Sequence, residues 1–441
     1  MILEFSISNF RSIKEKQTLS FEATSDIHLE DYYVVKMGQY RILKMAIIMG
    51  ANASGKSNIL QAFSLIHNLL LVPCETRTST INYSKFALSP EYADKNSTME
   101  VTFICNEKKY IYVVEFNNNS VVHESLQCQP FEKRAHKVYE RFTDSTTQTS
   151  TIIFGSTYPT SPIKDLKVNL LHNRTLFGSY QTSNVDVPWL KEITEWINDY
   201  MLPPVKANSQ LEEFTSKQIV ENKVSRETMA QLLRKSDVGV SDFTIEKVTE
   251  NLPKAIVHFL LSNEDIPTEL RKQLQENPTS ERLKVHLLHK GERGDVPFDF
   301  NEESNGTRRY YGLAGVLMLL IQESHFITID ELECRLHPDL YQYIINLFLI
   351  NSRHSQMVFT THYRDFLNDK DSFRDDAVWF AEKSELGETS IYSLADFGSD
   401  TLRNSTNRYN AYRSGRLGAI PNTGSTYVDV HSKNESNAET E

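Results

Sequence analysis

The stretch Met45-Ala-Ile-Ile-Met-Gly-Ala-Asn-Ala-Ser-Gly-Lys-Ser57 decides how this chain folds. It begins with a short, continuously apolar run, which is typical of a strand buried on both faces of a parallel sheet. Residues 50–57 then match the pattern G-x-x-x-x-G-K-[ST], and a helical segment, 58–70, follows them. A strand, a glycine-rich loop and a helix in this order predict a loop that wraps a polyphosphate.

The residue types of this loop suit a bound nucleotide. Glycines let the backbone turn its N–H groups inward, Lys56 supplies positive charge to the terminal phosphates, and Ser57 can ligate Mg²⁺. The positive end of the following helix adds to the attraction. The alternative, a glycine turn with an exposed lysine, is disfavoured by the flanking strand and helix. The residues that we expect to contact the nucleotide are Gly50, Asn52, Ala53, Ser54, Gly55, Lys56, Ser57 and Asn58.

Two later strands end in polar residues that could complete the site. The apolar run 326–329 delivers Asp330 and Glu331 at its C-terminal end, where ligands bind in open α/β sheets. We predict that Asp330 holds Mg²⁺ through water and that Glu331 orients or deprotonates the water that attacks the γ-phosphate. The strand 356–361 precedes His362, whose neutral ring could sense or polarise that phosphate. Each string alone is often a solvated strand end, and the phosphate loop makes the catalytic interpretation preferable.

Regular patterns flank an irregular middle. Three alternating strands between residues 98 and 126 predict an antiparallel meander. After residue 303, a helix over 309–322 is followed by strands and helices in alternation, which indicates an α/β fold with parallel strands. The predicted units are the two halves of one domain, 1–130 and 291–422, a partly helical insert over 131–290, and a disordered tail over 423–441.

The composition indicates a globular, cytoplasmic protein. The 47 Lys and Arg residues against 58 Asp and Glu residues give a net charge of -11, which disfavours a wholly basic nucleic-acid-binding surface but allows one local basic patch. The four cysteines form no C-x-x-C pair, so neither a disulfide framework nor a zinc site is expected. No basic start precedes an apolar run, and the longest apolar stretch, 310–321, is about half the length that spans a bilayer. We therefore expect no membrane segment.

These motifs, together with Glu303-Ser-Asn-Gly-Thr-Arg-Arg309 ahead of a helix, resemble the ABC-type ATPase heads of SMC-like, RecF-like and OLD-like proteins. The resemblance implies a P-loop α/β head, with a mixed sheet and the antiparallel meander, that is split by the insert. It also implies ATP and Mg²⁺ as cofactors, and a homodimer or higher oligomer in which the signature loop of one head contacts the nucleotide of another. Ser304, Gly306 and Thr307 stand at the place of that signature loop, and residues 333–337 stand at the place of the D-loop.

A closer resemblance is to a bacterial ATPase family of phage-defence and abortive-infection loci, of the RloA and AbiLi kind. It implies a nucleotide-driven dimerising switch or sensor whose effector, a nuclease by first expectation, is encoded separately. In related heads the arginine that corresponds to Arg11 lies near the nucleotide. The motifs that carry the resemblance are Asn9-Phe-Arg-Ser12, residues 50–58, Glu124-Ser-Leu126, residues 303–309, Asp330-Glu-Leu-Glu333, Leu336-His-Pro338, Thr360-Thr-His362 and residues 412–421.

The chain departs from the ABC pattern in two places. The signature segment lacks the Leu-Ser-Gly-Gly form of transporters, and a Q-loop glutamine is not evident, with Gln127 and Gln129 as the candidates. Neither a Toprim nor an HNH nuclease pattern is visible, and we interpret the pair Asp375-Asp376 as structural. A GTPase is disfavoured because no N-K-x-D motif follows.

The alternative function is a RecF-like or SMC-like DNA-repair clamp, which would make nucleic acid a direct partner. Its support is a cluster of arginines near the C-terminus, although solvated arginines on a packed segment are the simpler interpretation. The cluster consists of Arg403, Arg408, Arg413 and Arg416.

Overall fold

The computed structural model describes residues 1–158, 166, 169–262, 268–398, 407–422, 424 and 426. The strands are β1 (Ile2–Ser8), β2 (Gln17–Ser20), β3 (Val34–Met37), β4 (Tyr40–Leu43), β5 (Met45–Met49), β6 (Ser97–Cys105), β7 (Lys108–Phe116), β8 (Val121–Pro130), β9 (His136–Asp144), β10 (Thr149–Phe154), β11 (Val240–Asn251), β12 (Thr279–Gly291), β13 (Gly294–Asp299), β14 (Phe326–Ile329), β15 (Gln356–Thr361), β16 (Val378–Lys383) and β17 (Thr389–Ser393). The α-helices are α1 (Glu30–Tyr33), α2 (Lys56–Leu71), α3 (Pro90–Asp94), α4 (Leu176–Gln181), α5 (Pro188–Tyr200), α6 (Glu212–Val220), α7 (Arg226–Lys235), α8 (Lys254–Ser262), α9 (Thr268–Glu276), α10 (Asn305–Gln322), α11 (Pro338–Asn351) and α12 (Arg408–Arg413). Short 3₁₀ turns lie at Phe300–Glu302, Asp365–Asn368, Lys370–Ser372, Asp375–Ala377 and Leu394–Asp396.

A five-stranded sheet in the order β14-β15-β5-β16-β17 carries the motifs. Strands β14, β15, β5 and β16 are parallel, and β17 closes the edge as an antiparallel hairpin with β16. Every residue of β5, β14 and β15 is buried, which explains their apolar sequences. Because parallel strands end at one edge, the residues that follow β5, β14 and β15 come together there.

A seven-stranded antiparallel sheet, β10-β9-β8-β7-β6-β1-β2, packs over the parallel one. Helix α2 lies between them: the Phe63 ring is 4.0 Å from Phe5 of β1 and 4.9 Å from Phe326 of β14, measured between ring centroids. The Gln356 side chain also joins the two sheets, because it bonds to both the N–H and the carbonyl of Ile2. The helix that follows the phosphate loop is therefore held on both sides by the hydrophobic core.

A buried ion pair fixes the outer half of the antiparallel sheet. Glu124 of β8 and Arg141 of β9 have no exposed side-chain surface, and Arg141 Nη1 lies 3.1 Å from Glu124 Oε2. The Glu124 carboxylate also accepts bonds from the hydroxyls of Tyr112 and Tyr139 and from the N–H of Leu176. Glu124 thus ties the sheet to the start of α4, which gives the Glu124-Ser-Leu126 motif a structural role.

The middle of the chain holds more strand than its sequence indicates. Strands β9 and β10 extend the antiparallel sheet beyond residue 130, where we expected the first half of the head to end. Strands β11, β12 and β13 form a separate three-stranded sheet within the partly helical insert. Much of β11 and β12 is exposed on both faces, so an apolar residue is not required at every second position. The alternation of apolar and polar residues that predicts a strand is therefore missing from the sequence.

The predicted α/β fold class is confirmed: a mixed sheet of mostly parallel strands, which carries the phosphate loop, packs against an antiparallel meander. The helix predicted over 309–322 begins earlier, at Asn305, because the Ser304 side chain caps it. Almost all of the tail predicted over 423–441 lies outside the described residues. Among the helices of the described residues, none is long and apolar enough to cross a bilayer.

Candidate nucleotide-binding site

The loop between β5 and α2 has the backbone that a phosphate cradle requires. Gly50, Ala53 and Gly55 have φ angles of 153°, 61° and 104°. A Cβ atom at Gly55 would lie 2.2 Å from Thr389 Oγ1, and one at Gly50 would lie 2.2 Å from the carbonyl oxygen of Ala381. Both glycines are therefore needed for the conformation and for the space. The exposed residues Asn52 and Ala53 form the outer turn of the loop.

Lys56 lies inside this loop. Its side chain is buried, and Nζ donates to the carbonyl oxygens of Gly50 at 2.9 Å and Ala51 at 2.8 Å. Burial lowers the pKa of the Lys56 ammonium, while the carboxylates of Asp330 and Glu331 oppose that shift. Ser54 Oγ is buried in the same loop without a hydrogen-bond partner. An ammonium and an unpaired hydroxyl inside a curled backbone fit the phosphates of a nucleotide.

Three oxygen-bearing side chains meet at the edge of the parallel sheet and fit a magnesium ion. Ser57 Oγ donates to the Asp330 carboxylate at 2.9 and 3.0 Å, and Thr360 Oγ1 donates to Asp330 Oδ1 at 2.6 Å. No group of three or more His, Cys, Asp or Glu side chains that could hold a metal occurs among the described residues. Mg²⁺ is usually bound by one or two protein oxygens together with substrate phosphates and water, and Ser57 with Asp330 supplies that set. When bound, the ion would neutralise the charge on the phosphates.

Glu331 and His362 come from neighbouring strand ends, as predicted. Glu331 Oε1 lies 3.9 Å from His362 Nε2, and both side chains are partly exposed. Glu331 has a φ angle of 49°, and this left-handed conformation turns the chain out of the sheet. The N–H of Glu331 donates to Thr360 Oγ1 at 2.8 Å. Partial burial, followed by the Lys56 charge, lowers the pKa of His362, so its ring is neutral at pH 7.

Glu333 is a further residue of the site. From the sequence we expected it only as part of the D-loop. Its Oε1 accepts a 2.6 Å hydrogen bond from the N–H of His362, and its Oε2 is buried without a partner. Glu333 also opposes the downward shift of the His362 pKa. The Glu333 carboxylate therefore positions the backbone of His362.

Hydroxyl side chains brace the phosphate loop from outside. Thr389 of β17 is buried and lies within hydrogen-bond distance of both the Ser54 carbonyl oxygen, at 2.8 Å, and Ser12 Oγ, at 2.7 Å. The Asn58 side chain donates to the same Ser12 hydroxyl at 2.7 Å. Nothing in the sequence marks Thr389, since it is one polar residue in a short strand. Ser12 belongs to a recognisable motif, and Thr389 is a partner of its side chain.

We expect Thr389→Val to raise the KM for ATP about tenfold with little change in kcat. Valine has the same shape but leaves the Ser54 carbonyl and the Ser12 hydroxyl without this partner, a loss of about 1.4 kcal/mol. Steady-state ATP hydrolysis measures both constants. Thr389→Ser, which keeps the hydroxyl, is the control; a KM for Thr389→Val within twofold of wild type would show that the brace is dispensable.

The predicted signature residues lie at the start of α10. Ser304 Oγ accepts the N–H of Thr307 at 3.0 Å and also contacts Thr307 Oγ1 at 2.8 Å. A Cβ atom at Gly306 would lie 2.9 Å from the carbonyl oxygen of Arg335, so the segment packs closely on residues 333–337. Among the described residues, no hydrogen bond joins 304–307 to the phosphate loop.

Other predicted residues are not brought to the loop. The Arg11 side chain is exposed and lies over the Phe10 ring at 5.7 Å, although its neighbour Ser12 does contact the site. Gln127 is exposed on β8, and Gln129 donates to the carbonyl of Lys133. Strand β8 is separated from β1 by β7 and β6, which explains why neither glutamine reaches the nucleotide loop.

The C-terminal arginines that the structure describes differ in their surroundings. Arg408 pairs with Asp375 at 2.7 Å, and Arg413 and Arg416 are exposed. Arg403 lies outside the described residues. Asp376 pairs with the buried Arg374, so both members of the Asp375-Asp376 pair have the structural role that we expected.

Two solved structures are similar to this chain. The SMC head bound to the C-terminal winged-helix domain of ScpA matches with a TM-score of 0.42 and 13% identity, over 89% of this chain and 97% of that one. The SMC head domain from Thermotoga maritima matches with a TM-score of 0.39 and 13% identity, over 89% and 98%. No curated protein matches the sequence.

Residues 45–156 and 216–366 match the family described as "AAA domain, putative AbiEii toxin, Type IV TA system". The matched ranges include the phosphate loop, the signature segment, Asp330, Glu331 and His362. They cover more than half of the chain, which therefore belongs to this family of AAA ATPase domains.

Proposed function

We propose that the protein binds and hydrolyses ATP with Mg²⁺ and uses the cycle as a dimerising switch. The observation that carries the proposal is the meeting of Lys56, Ser57, Asp330 and Glu331 at one edge of the parallel sheet. Lys56 would hold the terminal phosphates, Ser57 and Asp330 would hold the ion, and Glu331 would orient the attacking water. The neutral ring of His362, held by Glu333, would contact the γ-phosphate.

The position of the signature segment supports dimerisation. Ser304 is exposed at the N-terminus of an eighteen-residue helix, where the helix dipole favours an anion. Because the hydrogen bonds of the described residues do not join Ser304 to the phosphate loop of its own chain, a second head is the natural source of that anion. Two nucleotides, each bound between one phosphate loop and the partner's signature segment, would hold two heads together.

The switch would act in anti-phage defence with a separately encoded effector. The description of the matched family names a toxin and a toxin–antitoxin system, which is consistent with a defence locus. No cluster of metal-binding side chains that would indicate a metal-dependent nuclease is found in the described part of the chain. A toxic step would then come from another protein, for which a nuclease is the first candidate.

Phage protection in cells that carry the whole locus tests this proposal. We expect Lys56→Ala to abolish protection, because loss of the ammonium weakens phosphate binding and stops the cycle. Lys247→Ala, which changes an exposed lysine on β11, should protect like wild type. Full protection by a Lys56→Ala protein expressed at the normal level would end the switch hypothesis.

The DNA-clamp alternative is not favoured, since Arg408 is already paired and only part of the arginine cluster is exposed. Salt-dependent DNA binding by the purified protein that is lost on combined substitution of Arg413 and Arg416 by alanine would restore it.

A further inference from the structure

A polar cavity of about 390 Å³ lies beside the first turn of α10. Three arginines line it, Arg308, Arg309 and Arg335, together with the segment 207–212. Its volume is within the range of small-molecule sites, about 300–1,000 Å³. Asn305 of the signature segment lines the cavity, whereas the three predicted signature contacts, Ser304, Gly306 and Thr307, do not.

Arg309 is the residue that indicates a ligand. Its side chain is 6% exposed, and two of its nitrogens, Nε and Nη2, are buried without a hydrogen-bond partner. The third, Nη1, makes one long contact with the Lys206 carbonyl at 3.4 Å. A guanidinium stays charged inside a protein, and a buried charge without acceptors is strongly unfavourable. The missing acceptors are therefore expected to come from outside the chain.

The surroundings favour an anion. Among the described residues, none of Arg308, Arg309 and Arg335 forms an ion pair with a carboxylate, although the chain carries a net charge of -11. Arg308 donates instead to the Asn305 side chain at 2.6 Å, and Arg335 is exposed. The N-terminus of α10 adds positive potential. Glu212 is the carboxylate among the residues that line the cavity, and burial raises its pKa while the charge of Arg308 opposes that shift.

We propose that this cavity is a second anion site, separate from the phosphate loop, in which Arg309 and Arg335 bind a phosphate group. Planar guanidinium groups donate paired hydrogen bonds to phosphate oxygens, and the side chains of Asn208 and Gln210 could contact the remainder of the ligand. The phosphate belongs either to a free small molecule or to a nucleic-acid strand, and both present the same oxygens.

Glu333 connects this cavity to the catalytic edge. Its charge favours the protonated form of Arg309, and its Oε1 accepts the N–H of His362 at 2.6 Å. The charge of Glu333 thus acts on Arg309, while its carboxylate holds the backbone of His362.

Binding of inorganic phosphate and pyrophosphate to the full chain carrying Lys56→Ala tests the proposal, because that change weakens the phosphate loop. We expect calorimetry to show saturable binding. The further change Arg309→Gln should weaken that binding about tenfold or more, which corresponds to about 1.4 kcal/mol. Arg335→Ala should weaken it likewise, and this exposed position keeps the test valid if Arg309→Gln fails to fold. Arg293→Ala, an exposed arginine in the β12–β13 turn, is the control.

A short single-stranded oligonucleotide, titrated in the same background, distinguishes the two sources of phosphate. If the strand binds more tightly than pyrophosphate, if its binding depends on salt, and if Arg335→Ala abolishes that binding, the ligand is a nucleic acid. Binding of pyrophosphate without binding of the strand would identify a small molecule. The proposal is wrong if neither probe binds, or if both bind equally well after Arg309→Gln and Arg335→Ala. None of these results depends on ATP hydrolysis, so they are independent of the proposed switch.

Discussion

Glu331→Gln is expected to lower kcat for ATP hydrolysis by about 10²–10⁴-fold while leaving ATP binding nearly unchanged. Glutamine has the shape of glutamate and keeps the backbone N–H on Thr360, but it cannot accept a proton from water. The phosphate loop, Ser57 and Asp330 remain intact, so the nucleotide still binds. Release of phosphate under single-turnover conditions, together with binding of a fluorescent ATP analogue, separates the two effects.

The same variant is expected to accumulate as an ATP-bound dimer. If hydrolysis opens the heads, a protein that binds but does not hydrolyse ATP remains closed, and light scattering with ATP and Mg²⁺ will report twice the monomer mass. Glu246→Gln, on the exposed strand β11, is the matched control and should behave as wild type. Hydrolysis by Glu331→Gln at the wild-type rate would place the base elsewhere, and a monomer at saturating ATP would contradict dimerisation.

The parallel sheet and its motifs could be predicted from the sequence because local signals and topology agree there. Strands β5, β14 and β15 are buried on both faces and hence continuously apolar, and the glycine-rich loop has a specific pattern. A parallel arrangement then brings Asp330, Glu331 and His362 to one edge without further information. In the structure, Asp330 accepts a hydrogen bond from Ser57, and Glu331 lies beside His362, as expected. The charge of Lys56 in turn acts on His362.

The rest depends on contacts between segments that are distant in the sequence. Thr389 braces the phosphate loop from a strand more than 330 positions later, and no local pattern encodes that pairing. In the sequence, Arg309 is simply one basic residue near the start of a helix. Its guanidinium nitrogens are buried without hydrogen-bond partners only in the folded chain, where the segment 207–212 lies beside it. Strands β11 and β12 lack alternation because water contacts both of their faces.

Asp330→Asn is expected to raise the Mg²⁺ concentration required for half-maximal ATP binding by about 10–100-fold. The Asp330 carboxylate accepts hydrogen bonds from Ser57 and Thr360 and would supply the negative charge that holds the ion. Asparagine keeps the size and one acceptor oxygen but loses the charge. Titration of Mg²⁺ against a fluorescent ATP analogue measures the shift directly.

Binding without metal separates this role from a structural one. In EDTA the Asp330→Asn protein should bind ATP at least as well as wild type, because a carboxylate that repels the phosphates has been removed. Ser57→Ala should show a similar shift in the Mg²⁺ requirement, and the double variant should be little worse than either single one, since both side chains serve one ion. If metal-free binding fell as much as metal-dependent binding, Asp330 would be acting through Ser57 and Thr360 on the shape of the phosphate loop, and the ion would have to be held elsewhere.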